Sequence, residues 1–479
     1  MKKHLMLHEE YQGLTVFQML EKMAGKFQER QVLSYWSGGQ AISVSYTDFF
    51  QDVRRLAAYF DGLGLCGHRV VIDGRNTYEQ ITALFAAMSM GAAAVPLCFD
   101  LPLEDLQQLV RRLNPALIIY DEESRELLPD IRLNARTLAC LGASSIRSVL
   151  DGNGLLYQDD GRVSLSQPAL ILATSGSSSQ PKLVVHSHQS FQPHGNQPLQ
   201  SSIFVLPMYH VVVTRLFNDM AGGTPSCLSN FRQALFDIQW YHPQKVFATP
   251  NLITLLLKQD RMGALDIGTF RSITNLGAPE TSGMTEALNA RGIFYCSVYG
   301  TTEACGAITY SVPGHYRAGS VGKIGPWNEV RISDQGEILV RGNDIMQGYL
   351  DDPETTGEAL ADGWYHTGDT GYIDEDGFLY IIGRMKNIII LSNGENVSAE
   401  AVEKKLIACE EIKEVIVLGE NDQISAHIWC GEGRKEEGED QVRAFITRYN
   451  ETVPSYQAVR NIVFREKPFP KTTSGKIKR

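Results

Sequence analysis

The sequence has no basic excess: 44 Lys and Arg stand against 55 Asp and Glu, for a net charge of −11. That balance argues against a general nucleic-acid or anionic-membrane surface, since either needs a basic face. No window carries eighteen uninterrupted apolar residues, so no transmembrane helix is expected. The opening run Met1-Lys2-Lys3-His4-Leu5-Met6-Leu7-His8-Glu9-Glu10 meets charge before a signal-peptide apolar region forms. Eight cysteines (Cys66, Cys98, Cys140, Cys227, Cys296, Cys305, Cys409, Cys430) never fall in a CxxC pair, so they read as reduced core residues rather than a zinc or disulfide framework. Internal repeats, coiled-coil heptads, the GxxxxGK[ST] phosphate loop and any Ser-His-Asp arrangement are missing as well. A cytoplasmic enzyme without a nucleic-acid or membrane partner is the expectation.

What is present is enough chain, 479 residues with 43% apolar content, for two or more globular domains. Between 69 and 120 the pattern alternates: strand Arg69 to Ile72, helix Thr77 to Met90, strand Ala92 to Leu97, amphipathic helix Glu104 to Leu113, strand Ala116 to Tyr120. Buried strands separated by helices predict a parallel sheet covered on both faces, with a further helix, Thr47 to Phe60, packed at its edge. The alternation returns from 201 to 300, with strands at 203–206, 245–248 and 272–276. After about 315 short strands with Asp-Gly turns predict a β-rich subdomain to 384. Beyond Lys386 the pattern is α+β: helices Ser398 to Ala408 and Asp440 to Tyr449, and strands near 387–391, 414–418, 424–430 and 461–464. The predicted fold is therefore α/β, with a large N-terminal domain (1–384) of parallel-rich sheets flanked by helices plus the β subdomain, and a small α+β domain (387–479).

The densest chemical signal is Leu172-Ala173-Thr174-Ser175-Gly176-Ser177-Ser178-Ser179-Gln180-Pro181-Lys182. Gly and Ser let backbone N–H groups approach an anion, hydroxyls add donors, and Lys182 adds a point charge. The flanking runs Pro168 to Leu172 and Leu183 to His186 read as strands. Taken alone, the loop is either a phosphate cradle or a Ser-rich linker. A second cationic feature is the segment Arg465 to Arg479, with six Lys or Arg and one Glu, either a solvated tail or a grip on a polyanion.

Four further segments belong with the loop: Val298-Tyr299-Gly300-Thr301-Thr302-Glu303, Gly363-Trp364-Tyr365-His366-Thr367-Gly368-Asp369, Gly383-Arg384-Met385-Lys386-Asn387, and Pro470-Lys471-Thr472-Thr473-Ser474-Gly475-Lys476. In order and spacing they resemble the adenylate-forming superfamily of acyl-CoA ligases, stand-alone adenylation enzymes and luciferases. The resemblance implies that ATP activates a carboxylic acid as acyl-AMP with release of pyrophosphate. The acyl group then passes to a thiol, either coenzyme A or a carrier protein's phosphopantetheine. Two anions must meet in such a site, so positive charge, metal and preorganised donors should dominate it.

Residue by residue, the resemblance places Thr174, Ser175, Gly176, Ser177, Ser178 and Lys182 on the triphosphate and Thr302, beside Thr301, on the α-phosphate. Glu303 takes Mg²⁺, which favours carboxylate oxygen. Gly277, Ala278 and Pro279 frame the adenine together with Tyr299 and Gly300; Asp369 takes the ribose hydroxyls, and Arg384 also touches the nucleotide. Lys476 is the expected catalytic cation, bridging carboxylate and α-phosphate on a long mobile stem. Residues 385–386 form the hinge, centred on Lys386, and Gly394 lets a pantetheine arm pass. His210 in Leu206-Pro207-Met208-Tyr209-His210 orients the carboxylate or gates thiol entry, at an acyl pocket with Val211, Asn275, Gly277, Val298 and Gly300. Ser179 and Leu183 depart from the family pattern, which has Gly at both positions, and His186 reads as structural.

Two other readings stay open: an amino-acid-activating stand-alone enzyme, and a non-catalytic nucleotide-binding protein on a decayed ligase scaffold. The first needs an acid to pair the substrate ammonium. Asp219, nine residues past His210, reads instead as a surface or capping Asp. The pocket walls read as mixed apolar residues, and any carrier would be a separate protein.

Overall fold

The computed structural model describes residues 6–152, 154–174, 181–196, 201–276, 283–311, 316–392, 395–432, 436–471 and 477. The chain forms two compact units. The first comprises Met1–Tyr316, Gly325–Glu329 and Arg341–Leu360, and the second Arg317–Ile324, Val330–Val340 and Ala361–Arg479.

The first unit holds two seven-stranded sheets. One runs Phe294–Ser297, Ser272–Asn275, Lys245–Ala248, Ser202–Phe204, Ser226–Leu228, Gln31–Ser37 and Gln40–Ser45. Its first six strands pair in parallel, and the last closes an antiparallel hairpin. The other runs Gly348–Tyr349, Leu183–Ser187, Pro168–Ala173, Ala93–Leu97, Arg69–Asp73, Leu117–Tyr120 and Arg136–Ala139. Here the strands on either side of the Ser-rich loop pair antiparallel to each other, at the parallel sheet's flank.

One core serves both sheets. Val32 and Leu33 of one and Val70 and Ile72 of the other share a buried cluster with Phe49, Phe85 and Phe217. Thr77 caps helix Tyr78–Ser89 through its side chain, and every residue of that helix is buried. Even its polar residues Glu79, Gln80, Thr82 and Ser89 are buried, so the helix is enclosed on all sides. The predicted edge helix, observed as Tyr46–Gly62, lies against this buried helix and also touches the edge hairpin Gln31–Ser37 and Gln40–Ser45. The Phe49 and Phe85 rings meet edge-on at 5.8 Å, and the Tyr78 hydroxyl donates to Asp52 at 2.7 Å.

The second unit contains the antiparallel strands Glu337–Gly342, Tyr365–Ile373 and Leu379–Arg384. It also holds a three-stranded sheet of Glu414–Glu420, Gln423–Trp429 and Val459–Phe464, with helices Ala399–Leu406 and Glu436–Glu451. Val442, Ile446 and Tyr449, spaced for one helical face, seal its core. Contact thus groups 361–384 with the C-terminal residues, where the sequence reading assigns them to the large domain. The reason is local: a Cβ on Gly383 would lie 2.6 Å from Ser398 Oγ and 2.7 Å from Glu400 Oε2. The strand end therefore touches the helix start, where Ser398 accepts from the Ala401 N–H as N-cap.

No helix among the described residues is long and apolar enough to cross a membrane. Five of the cysteines, Cys140, Cys227, Cys296, Cys305 and Cys409, are buried.

Candidate active site

The two strands flanking the Ser-rich loop bring its ends together: the Thr174 N–H donates to the Lys182 carbonyl at 2.9 Å. Leu183 directs its side chain into a buried cluster with Val95, Leu97 and Ile171, so this departure from glycine fills core. Ser175, Gly176, Ser177, Ser178 and Ser179 lie outside the described residues, as do Gly277, Ala278, Pro279, Gly394 and Lys476.

Lys182 sits over the ring of Tyr349, with Nζ 4.6 Å from its centroid. Register explains this neighbour: Gly348 and Tyr349 pair antiparallel with Val185 and Val184, so Tyr349 arrives beside the end of the loop. Gly348 must be glycine there, because its φ is 151° and a Cβ would lie 2.6 Å from Thr356 Cγ2. The same phenol donates to Glu303 Oε1 at 2.9 Å, and the Met346 N–H donates to the Glu303 carbonyl at 2.8 Å. Tyr349 thus ties the predicted phosphate cation to the predicted metal carboxylate. Among the described residues no carboxylate lies within ion-pair distance of Lys182. An aromatic face attracts an ammonium by about 0.5–1 kcal/mol at exposed sites, which leaves the charge available to an anion.

Thr302 and Glu303 belong to a tight hairpin in which Gly300 pairs with Ala307 and Thr301 with Gly306. A Cβ on Gly300 would fall 1.8 Å from the Gly306 carbonyl oxygen, so the close approach needs glycine. Cys305 at φ 48° and Gly306 at φ 124° turn the chain. From the strand after the loop, buried His186 reaches this hairpin, its Nε2 2.7 Å from the Thr302 carbonyl. Burial pushes His186 down to about 4, opposed only weakly by that carbonyl, so the ring is neutral and donates from Nε2. Its structural role is therefore to position Thr302.

The segment ending at His210 is held by Asn76, a residue that sequence reasoning missed. Its Nδ2 lies 3.2, 2.9 and 2.9 Å from the carbonyls of Phe204, Leu206 and Ser229, and its Oδ1 accepts from the Met208 N–H at 3.0 Å. Tyr209 packs beside the backbone of Gly74, where a Cβ would lie 2.7 Å from its own. His210 is half-buried, its ring 4.5 Å from that of Tyr209.

The expected acyl-pocket residues Val211, Asn275, Val298 and Gly300 lie on or beside described elements of the first unit, and Gly277 lies outside the described residues. Asn275 pairs in register with Ser297, the neighbour of Val298. Val211 Cγ2 and Thr214 Oγ1 back onto Gly306, at 3.8 and 2.8 Å from where its Cβ would be. Tyr299 is fixed by Thr309, whose hydroxyl accepts from the Tyr299 N–H at 2.8 Å. One expectation changes here. Asp219 is buried on helix Val212–Ala221 and bonded to Lys245 at 2.7 Å, so it is neither a surface nor a capping Asp.

In the second unit Asp369 and Arg384 face each other across paired strands, and the Arg384 Nε lies 2.7 Å from Asp369 Oδ1. Asp369 is buried and its N–H donates to Thr367 Oγ1 at 3.1 Å; Arg384, itself exposed, also donates to the Thr367 carbonyl at 3.2 Å. Gly368 takes φ 68°, which turns the strand so that both ends of the pair meet. Lys386 is exposed in the short helical turn Met385–Asn387. Beside it the Asn387 amide donates to Glu400.

Comparison with known proteins followed the geometry. The AMP-binding enzyme family matches residues 20–350, and the AMP-binding enzyme C-terminal domain matches residues 386–479. Indoleacetate–CoA ligase of Aromatoleum aromaticum is 28% identical over 477 residues, covering 91% of this chain and 92% of the relative. An anthranilate CoA ligase in complex with anthranoyl-AMP superposes with a TM-score of 0.83 at 19% identity, covering 97% of this chain and 96% of its own. O-succinylbenzoate coenzyme A synthetase from Bacillus subtilis, in complex with ATP and magnesium ion, gives 0.81 at 22% identity, covering 96% and 98%.

Proposed function

Because the chain belongs to the AMP-binding enzyme family, we propose that the residues gathered around Tyr349 are the triphosphate and metal grip of its ligase chemistry. The protein is an ATP-dependent acid–thiol ligase: it activates a carboxylic acid as acyl-AMP, releases pyrophosphate and transfers the acyl group to a thiol. One observation carries the assignment of the grip. Tyr349 holds Glu303 by its hydroxyl and Lys182 by its ring, with no carboxylate claiming that ammonium among the described residues.

In this reading Lys182 and the Ser-rich loop from Thr174 to Ser178 take the β- and γ-phosphates, and Thr302 donates to the α-phosphate. Glu303 fits magnesium by its chemistry, a hard carboxylate oxygen whose partner oxygen is already oriented by Tyr349. Glu303 would hold magnesium, which when bound would supply charge neutralisation for the departing pyrophosphate. Asp369 accepts from the ribose hydroxyls with Arg384 alongside, and Gly277 to Pro279 with Tyr299 frame the adenine. Lys476 brings its charge between the acid and the α-phosphate. Lys386 serves as hinge between domains 1–384 and 387–479, Gly394 passes the thiol arm, and the protein works in the cytoplasm. His210 orients the acid or gates the thiol, with Val211, Asn275, Val298 and Gly300 around the acyl chain.

The acid carries no ammonium group, because the one acidic residue near the His210 segment is already engaged by Lys245. Relatives named for indoleacetate and anthranilate support a small organic acid. Coenzyme A is the acceptor in this reading, and a separate carrier protein is the alternative. ATP–pyrophosphate exchange across a panel of acids, with Lys476→Ala as control, tests it. Exchange that depends on one acid class and disappears in the control is expected. Absence of exchange with every acid would favour the non-catalytic reading.

A further inference from the structure

The strand that carries Asp369 does not run evenly past its neighbour. Glu337 pairs with Thr370 and Leu339 with His366, so residues 367–369 stand opposite Ile338 alone and the chain bulges there. A bulge re-aims side chains, and it also interrupts the ladder that would pair the backbone. The interrupted groups need other partners. The Ile338 carbonyl accepts from the Thr367 hydroxyl at 2.7 Å, and that hydroxyl accepts in turn from the Asp369 N–H at 3.1 Å. For the Gly368 N–H the partner is a carboxylate: Glu337 Oε1 accepts it at 2.9 Å.

The second oxygen of that carboxylate is engaged as well. His366 Nδ1 lies 2.9 Å from Glu337 Oε2, and since a carboxylate only accepts, the imidazole donates from Nδ1. One side chain therefore holds residues 366 and 368, which straddle Thr367 and lead into Asp369. Glu337 is itself fixed from behind. Its N–H donates to Ser333 Oγ at 3.0 Å and its carbonyl accepts from the Ser333 N–H at 2.8 Å, closing the turn in which Gly336 takes φ 81°. A plain strand start has no need of a half-buried carboxylate, which strands disfavour and burial penalises. Here its two bonds hold a turn, with Gly368 at φ 68°, whose next residue is Asp369.

We propose that Glu337 is a positioning residue for nucleotide binding: by holding the Gly368 N–H and the His366 ring it fixes the bulge that aims Asp369 at the ribose. The proposal rests on the assignment of Asp369 to the ribose hydroxyls given above. Glu337 acts through the main chain of 366–369 and does not itself touch the nucleotide. Arg384, 2.7 Å from Asp369 Oδ1, sets the carboxylate from the strand on the other side, so backbone and side chain of one residue are constrained separately. A 1 Å misplacement of a functional group costs on the order of 100-fold, so a constraint one step removed from the ligand is readable in affinity.

The test compares AMP with 2′,3′-dideoxy-AMP, which lacks both ribose hydroxyls, by calorimetric titration of the full chain. The wild type is expected to prefer AMP by roughly 10- to 100-fold, and Asp369→Ala to abolish that preference. Glu337→Ala should shrink the preference by roughly 10-fold, chiefly through weaker AMP binding. Glu337→Gln, which keeps an acceptor for the Gly368 N–H, should retain most of it. The ratio is read within one protein, so a loss of folded material alters stoichiometry and leaves the ratio untouched; Glu337→Asp, too short to span both partners, replaces the alanine variant should that fail to fold. A Glu337→Ala variant that weakens both nucleotides equally, or a Gln variant as impaired as the alanine one, overturns the proposal while the Asp369 assignment stands. A wild type that binds the two nucleotides equally overturns the Asp369 assignment and this proposal together.

Discussion

The Tyr349 hydroxyl donates to Glu303 Oε1 at 2.9 Å, joining a residue of the short strand Gly348–Tyr349 to one 46 positions earlier. The bond orients one carboxylate oxygen and leaves the ring of the same residue beneath Lys182. The cation and the carboxylate proposed to hold phosphate and metal are therefore set from one side chain.

Tyr349→Phe removes the hydroxyl and keeps the ring. A lost hydrogen bond to a charged group is worth about 1.5–3 kcal/mol, part of which water recovers at a half-buried site. We expect a higher magnesium concentration for half-maximal exchange, by about 3- to 10-fold, with KM for ATP nearly unchanged. Magnesium titration of the exchange rate measures this; equal requirements in the two proteins would remove Tyr349 from the site.

His186 makes stability depend on pH. Its folded-state value of about 4 lies below the ordinary 6.5, so as pH falls the unfolded chain takes up the proton first. The stabilisation is complete above about 6.5 and is lost as pH falls toward 4, by roughly 3 kcal/mol at most. His186→Gln, which keeps a donor for the Thr302 carbonyl, should flatten the fall in denaturation midpoint between pH 7 and pH 5. Parallel curves for the two proteins would contradict it.

Gly300→Ala tests the hairpin that carries Thr302 and Glu303. The added methyl would lie 1.8 Å from the Gly306 carbonyl oxygen, so the strands must part. Overpacking of this kind costs about 1–3 kcal/mol, and a 1 Å misplacement of catalytic groups costs on the order of 100-fold in rate. Exchange activity should fall by that order while far-ultraviolet circular dichroism stays native.

Asp369→Ala separates nucleotide binding from folding. Arg384 would lose its 2.7 Å partner, but that side chain is 47% exposed and returns to water at little cost. Titration of AMP into the variant should show affinity reduced by about 10- to 100-fold, with a thermal midpoint close to that of the wild type. A large loss of stability with retained AMP affinity would make the pair structural.

Local pattern accounts for what the sequence revealed. Apolar runs bounded by polar turns predict the strand at 245–248, observed as Lys245–Ala248, and the alternation from 69 to 120, because both signals are contained in neighbouring residues. The hairpin Gln31–Ser37 and Gln40–Ser45 went unread, since its polar, edge-facing second strand carries little apolar alternation. Asp219 looked like a surface residue because its partner, Lys245, lies 26 positions away in another strand. Tyr349 and Asn76 left no motif at all: each acts through tertiary register, the one beside Val184 and the other across two sheets. The short motifs around Thr302 and around Asp369 and Arg384 fall on a described hairpin and a described ion pair, whereas Ser175 to Ser179 lie outside the described residues.

The four-way bonding of Asn76 also bears on how the chain assembles. Its acceptors at Phe204, Leu206 and Ser229 lie 128, 130 and 153 residues downstream. During synthesis those residues leave the ribosome roughly 6–30 s after Asn76 does, at 5–20 residues per second. Throughout that interval the amide bonds only to water, and the stretch leading to His210 has no fixed geometry. The segment ending at His210 is thus a late product of long-range closure, and mutations that slow the joining of the two sheets should reduce the yield of competent enzyme.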